Sequence, residues 1–297
     1  MTLHGSEIGQ RWSDGRRELG LPDTAESLLD ELHLPFIEAL KRWHQHKGNT
    51  VVVGLQGCQG SGKTTTLYAG ITRINDRSRN IMTVEDPIEY ELAGIAQTQV
   101  NPKTDMTFAR GLRAILRQDP DVIMVGEIRD QETAEVAVRS SMTGHFVLST
   151  LHTNSAVGSI TRLIDMGVER YLLAPMVVGL VAQRLVRKLC PECRVEDVAS
   201  EADSVLLGRA LAVGERIWRA AGCDACHSEG YRGRAGLYEV VAVDDRLQGM
   251  IHDGASEAEL EREARKANPS LLADGVAKVR AGLTSVDEVA RVTRDEG

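Results

Sequence analysis

Residues 51–71 read VVVGLQGCQGSGKTTTLYAGI, and this stretch decides the fold. Residues 50–55 form a β-branched apolar run, which predicts a strand. Residues 64–75 (TTTLYAGITRIN) have amphipathic helical spacing. Between them, Gly57-Cys58-Gln59-Gly60-Ser61-Gly62-Lys63-Thr64 fits GxxxxGK[ST], the phosphate-binding loop or P-loop. Its strand–turn–helix context is the one the motif requires. Glycines let successive backbone N–H groups turn inward around phosphate oxygens, and the following helix aims its N-terminus at the anion. Lys63 is placed to bridge the β- and γ-phosphates, and Thr64, with Thr65 beside it, to hold Mg²⁺. ATP and Mg²⁺ are therefore the expected ligands.

Working outward, further apolar runs at 80–84, 121–125 and 146–151 alternate with helical patterns such as 108–118, and Asp130 and Gly144 bracket another helix. This alternation predicts an α/β fold with a mostly parallel sheet and crossover helices. Acids follow the runs. Glu85 and Glu89 lie in EDPIE, and Glu127 follows the run in DPDVIMVGE after Gly126. Asp121 stands at the opposite end of that run. His152 ends the fourth run, STLH, where an imidazole can sense a γ-phosphate or a metal-bound water. Ligands of open α/β sheets sit at the carboxyl ends of the strands, so these groups are expected to converge on the P-loop.

The chain has 297 residues and is 42% hydrophobic, enough for a main domain with a smaller appendage. Its 43 acidic and 35 basic residues give a formal charge of −8, which argues against nucleic acid as the main partner. The N-terminal MTLHGSEIGQRWSDGRR has no apolar run for a secretion signal, and no stretch approaches the roughly 20 apolar residues of a membrane span. A cytoplasmic, reducing setting is expected.

Four of the five cysteines form two CxxC pairs, Cys190/Cys193 and Cys223/Cys226. In a reducing setting such pairs read as ligands of a closed, structural Zn²⁺ site. The 29 residues between the pairs exceed a compact ribbon, so a helical insert is expected in 195–222. His227 adjoins the set, but four thiolates suffice. Cys58 stands apart in the P-loop.

The stretches GSGKTTTLYAGI, NIMTVEDPIEYELAGIAQTQVN, TFARGLRAILRQDPDVIMVGEIRDQETAEVA, TGHFVLSTLHTNSAVGSITRLIDMGV, AQRLVRKLCPEC and CDACHSEGYRGRAGLYEV run in order through the chain. With them the sequence resembles the type II secretion and type IV pilus assembly ATPases of the secretion traffic-ATPase superfamily. The four-Cys insert resembles the assembly and secretion branch.

The resemblance implies a RecA-like core with ATP hydrolysis. Glu89 would be the base that activates water, with Glu85 supporting it. Glu127 would lie near Mg²⁺, and His152 in the family's His box. Arg113, Arg117 and Arg162 match arginine positions near a subunit interface. Hexameric rings, an inner-membrane platform as partner, and a peripheral position at a bacterial inner membrane are also implied. Cys58-Gln59 replaces the family's usual Pro-Thr, which leaves the backbone cradle intact. Members carry a folded module of about 100 residues or more before this core. Only about 50 residues precede the P-loop here, so that module is expected to be missing.

The expected organisation is a lead-in and helical linker (1–48), a RecA-like core (49–189) whose last twenty residues read as one long helix, a four-Cys zinc subdomain (190–243), and a C-terminal helical bundle (244–297) capped at Ser256 and Ser285. The expected function is an ATP-hydrolysing motor of secretion or pilus assembly. The alternatives are a nucleotide-binding short paralogue with little turnover, or a DNA-transfer ATPase of a conjugation system.

Overall fold

The computed structural model describes residues 52–56, 63–153 and 155–293, with backbone alone at 52–56, Lys63 and Thr65. The lead-in and linker (1–48) and the P-loop residues Gly57, Cys58, Gln59, Gly60, Ser61 and Gly62 lie outside the described residues.

β1 (Val52–Gln56) precedes the P-loop, and α1 (Lys63–Ile74) follows it. Next come β2 (Ile81–Glu85), β3 (Ala96–Gln99) and α2 (Phe108–Ile115). β4 (Val122–Val125), α3 (Gln131–Met142), β5 (Phe146–Leu151), α4 (Gly158–Asp165) and α5 (Arg170–Met176) complete the alternating part. Caps fix the helix starts: the Asp130 side chain accepts from Thr133 N at 2.8 Å, and Gly144 takes φ +94° just past α3.

The sheet order is β3-β2-β4-β5-β1-β6-β9, where β6 is Gly179–Leu189 and β9 is Tyr231–Ala242. All neighbours are parallel except the antiparallel pair β6/β9. Every residue of β4 and β5 is buried, as expected of strands covered on both faces. On one face Leu67, Tyr68 and Ile71 of α1 pack on Val122, Met124 and Leu148. On the other, Phe108, Leu112 and Ile115 of α2 and Ala134 and Val138 of α3 pack on Ile123, Val125 and Val147. α2 lies close because Gly111 faces Val84; a Cβ there would sit 2.8 Å from Val84 Cγ2.

Two expectations are corrected. Residues 170–189 are not one helix: α5 stops at Met176, Val177 turns to an extended backbone, and β6 begins at Gly179. Eight of the ten residues from Val177 to Val186 are buried, on both faces, which erases the period of two that marks a half-exposed strand. Residues 195–222 are mainly not helical either. They fold as the hairpin β7 (Val195–Val198) and β8 (Arg216–Arg219), with one short helix α6 (Glu201–Leu206) in its loop.

β6 and β9 continue beyond the rest of the sheet as a two-stranded ribbon. Ala182 lies level with Gln56 of β1, and Leu189 is seven residues further, about 23 Å at strand rise. The ribbon carries the cysteines at its end. After β9 come α7 (Asp245–Asp253), α8 (Glu257–Ala264), α9 (Leu271–Arg280) and α10 (Val286–Thr293). Ser256 caps α8 through a capping box, and Ser285 Oγ accepts from Glu288 N at 3.3 Å.

Candidate functional site

The parallel register brings the strand ends together. Val84 pairs with Val125, Val125 with Ser149, and Leu151 with Gln56. The carboxyl ends of β2, β4, β5 and β1 therefore share one edge, and β1 leads from that edge into the P-loop. α1 points its N-terminus back at the edge with no acidic residue in its first turn, which favours an anion there. Thr64 is half-buried in that turn. Asp121 sits at the far end of β4, where its carboxylate accepts from Asn80 N at 2.7 Å.

Glu127 and His152 meet at this edge. His152 Nε2 is 3.4 Å from Glu127 Oε2, and Arg129 Nε donates to the same oxygen. The Glu127 side chain is only 13% exposed, whereas those of Arg129 and His152 are half exposed or more. The carboxylate is thus held inward by two groups that themselves reach solvent.

Glu85 and Glu89 are placed in opposite ways. Glu85 is 2% exposed, and its carboxylate accepts from Thr83 Oγ1, Tyr68 Oη and Gln97 Nε2. Glu89 is exposed, and its carboxylate has no partner among the described residues. A carboxylate left free toward solvent suits a base, and a buried one with three donors suits a structural hub. Burial, then the charges of Glu89 and Glu85, push the Tyr90 phenol up to about 12. Burial and the bond to Glu85 raise Tyr68 further.

The arginines lie apart from these acids. Arg113 Nη1 pairs with Glu132 Oε1 at 2.6 Å, both exposed. Arg117, just past α2, and Arg162, on α4, are exposed, and their guanidinium groups make no hydrogen bond or ion pair among the described residues. Reasoning from sequence missed Tyr68, Gln97, Arg129 and the Thr66–Gln183 bond (2.8 Å) that ties α1 to β6. The one available signal was Gln97 and Gln99 at i and i+2, which puts two amides on one side of β3.

At the ribbon's end the four cysteine sulfurs lie within 4.8 Å of one another. Cys190–Cys223 is 3.9 Å, Cys193–Cys226 3.7 Å and Cys223–Cys226 3.8 Å. A tetrahedron with Zn–S bonds of about 2.3 Å has edges of about 3.8 Å. The set fits that ion. Amides of Gly222, Cys223 and Gly230 donate to sulfur at 3.2–3.3 Å, which favours thiolate. Burial raises the Cys193 thiol to about 12. At Cys226 burial acts the same way, but the amides of Cys223 and Gly230 together with the Cys193 and Cys223 sulfurs outweigh it and lower the thiol to about 7.

This fold and edge define a P-loop core of the RecA-like type with a four-Cys appendage. Residues 33–291 match the family described as Type II/IV secretion system protein, and the chain belongs to it. Type II secretion system protein E of Pseudomonas aeruginosa is 62% identical over 280 residues, covering 94% of this chain and 53% of that protein. Type II secretion system ATPase E of Vibrio cholerae is 52% identical over 294 residues, covering 99% and 57%. The chain spans about half the length of the curated relatives it matches. Among solved structures, the pilus retraction motor PilT with bound ADP matches with a TM-score of 0.64 at 27% identity, over 93% of this chain and 66% of that one. The Legionella pneumophila ATPase DotB shares the fold at 22% identity and a TM-score of 0.64, over 91% of this chain and 64% of its own. No helix among the described residues is long and apolar enough to cross a membrane.

Proposed function

We propose that this chain binds ATP at the carboxyl edge of its sheet and hydrolyses it as a motor unit of type II secretion or type IV pilus assembly. The observation that carries the reading is the inward carboxylate of Glu127, hydrogen-bonded to Arg129 and 3.4 Å from His152 Nε2, at the edge where β1 enters the P-loop. The ADP in the PilT structure and the word ATPase in the Vibrio relative's name support it.

Gly57, Cys58, Gln59, Gly60, Ser61 and Gly62 cradle the phosphates, and Lys63 neutralises them. Thr64 and Glu127 supply oxygen ligands of the kind Mg²⁺ prefers, and Thr65 completes the first turn. Mg²⁺, when bound, would neutralise charge on the phosphates. Glu89 takes the proton of the attacking water, Glu85 holds its segment in place, and His152 orients Glu127. Arg117 and Arg162, exposed and without partners, supply positive charge across a subunit contact in a homo-oligomeric ring. Zn²⁺ at Cys190, Cys193, Cys223 and Cys226 is structural. The motor works on the cytoplasmic side of an inner-membrane platform.

The test is ATP turnover by the purified chain beside Lys63→Ala. The variant is expected to lose nucleotide binding and at least about 100-fold in turnover, as loss of a phosphate-contacting charge in a preorganised site does. Equal turnover by the two chains would refute the reading.

A further inference from the structure

Residues 86–92 connect β2 to the turn before β3 and carry Glu89. Three of this segment's backbone amides donate to side chains. Ile88 N donates to Gln99 Oε1 at 3.3 Å, Glu89 N to Tyr68 Oη at 3.2 Å and Leu92 N to Gln97 Oε1 at 2.7 Å. The segment's shape is therefore dictated from outside it.

Tyr68 is the clamp that reaches furthest. It is fully buried in α1, five residues after Lys63, about 7.5 Å along the helix axis. A phenol offers one donor and two acceptor sites. This one donates to Glu85 Oε2 and accepts from Glu89 N. Its remaining acceptor site faces Gln97 Nε2 at 3.4 Å. Gln97 Nε2 also donates to Glu85 Oε1 at 3.1 Å and Tyr90 O at 3.2 Å. The Tyr90 ring stands edge-on to the Tyr68 ring, with centroids 4.6 Å apart. The hydroxyl thus joins the P-loop helix, the end of β2 and the backbone of Glu89 at one point.

We propose that Tyr68 is a positioning residue, whose hydroxyl ties the backbone of Glu89 to the P-loop helix so that base and phosphate cradle hold one geometry. This rests on the reading of Glu89 as the base. A tyrosine that only filled the core would need its ring and not its oxygen. The hydroxyl instead sits on the one amide that fixes where Glu89 leaves the backbone. A misplacement of about 1 Å in a reacting group lowers a rate by about 100-fold, so a partial loss of this tether should be visible in kcat.

The experiment compares the full chain with Tyr68→Phe, Glu89→Gln and the double variant. It measures steady-state ATP turnover and amide hydrogen exchange. Tyr68→Phe is expected to lower kcat about 10-fold with KM changed less than about threefold. In the Glu89→Gln background it should lower turnover no further. Amides of residues 86–92 should exchange faster in Tyr68→Phe, a readout independent of turnover. Unchanged kcat with unchanged exchange would overturn the proposal, as would a rise in KM alone. Full turnover by Glu89→Gln would remove the base assignment itself. An inactive Glu89→Gln beside a fully active Tyr68→Phe would overturn only the tether. Should Tyr68→Phe fail to fold, the parent chain carries the test: the amide of the exposed Glu89 is expected to exchange at least about 10-fold slower than in an unstructured peptide, and exchange at the unstructured rate would overturn the proposal.

Discussion

Glu85, Glu127 and His152 reach one edge from three separate strands, each delivered by the register of a parallel sheet. The four cysteines reach one point from two short knuckles at the end of a single antiparallel ribbon. The first arrangement exists only when the whole sheet is formed. The second closes its own loop, and its geometry depends on the four sulfurs and a few local amides. One region should therefore tolerate damage to the other, and the variants below probe that independence in descending order of expected effect.

Cys223→Ser should have the largest structural effect. The wild-type chain is expected to hold about one zinc, and the variant none. Metal binding and local folding are one process at such sites, so residues 190–235 should lose hydrogen-exchange protection throughout. Nucleotide affinity should change less than about twofold. A matching collapse of nucleotide binding would break the comparison, because the ribbon would then be part of the sheet's own stability.

The next effect falls near the ribbon's cysteine end, at Arg187. Glu288 on α10 is 2% exposed and binds Arg187 N and Nη2 of β6, both at 2.8 Å, and Arg291. Burial alone would raise its pKa, but the bonds from Arg291 and Arg187 win and lower it from 4.5 to about 2. Glu288→Ala should destabilise by about 2–3 kcal/mol in chemical denaturation of metal-loaded chain, since charged hydrogen bonds are lost while both arginines can turn to solvent. The sign of the pH effect follows from the depressed value. The stabilisation is full above about 4.5 and is lost as pH falls toward about 2. An acid titration in which wild-type and Glu288→Ala lose stability in parallel across that window would contradict the assignment.

The smallest effect should come from the exposed pair Arg113–Glu132. Arg113→Ala should change stability by no more than about 0.5 kcal/mol, as surface ion pairs do. A larger loss in the isolated chain would mean that this face carries structural weight that its exposure does not suggest.

The same comparison explains what could be read before the structure. The strands that build the shared edge were legible because burial on both faces turns them into continuous apolar runs, and an acid or a histidine at the end of such a run is conspicuous. β3 escaped notice because its polar AQTQ sequence looks like a loop; it is an edge strand whose glutamines serve the neighbouring segment. β6 was misread as helix for the reason that made β4 and β5 easy. Burial on both faces removed its alternation, and its length then resembled a helix. The cysteines declared their site by spacing alone, whereas the hairpin β7/β8 between them did not, because two four-residue strands carry too little pattern. Tyr68 looks in sequence like any apolar residue on the buried face of α1, and only the position of its oxygen sets it apart.

If the shared strand edge is a hydrolytic site, Glu127 acts there on the reaction more than on binding. The most direct measurement is ATP affinity and steady-state turnover of Glu127→Gln beside the parent chain. Affinity is expected within about threefold of the parent and turnover lower by about 100- to 10,000-fold, since a carboxylate that acts mainly on the transition state affects kcat before binding. Turnover close to the parent's, with affinity intact, would contradict that role.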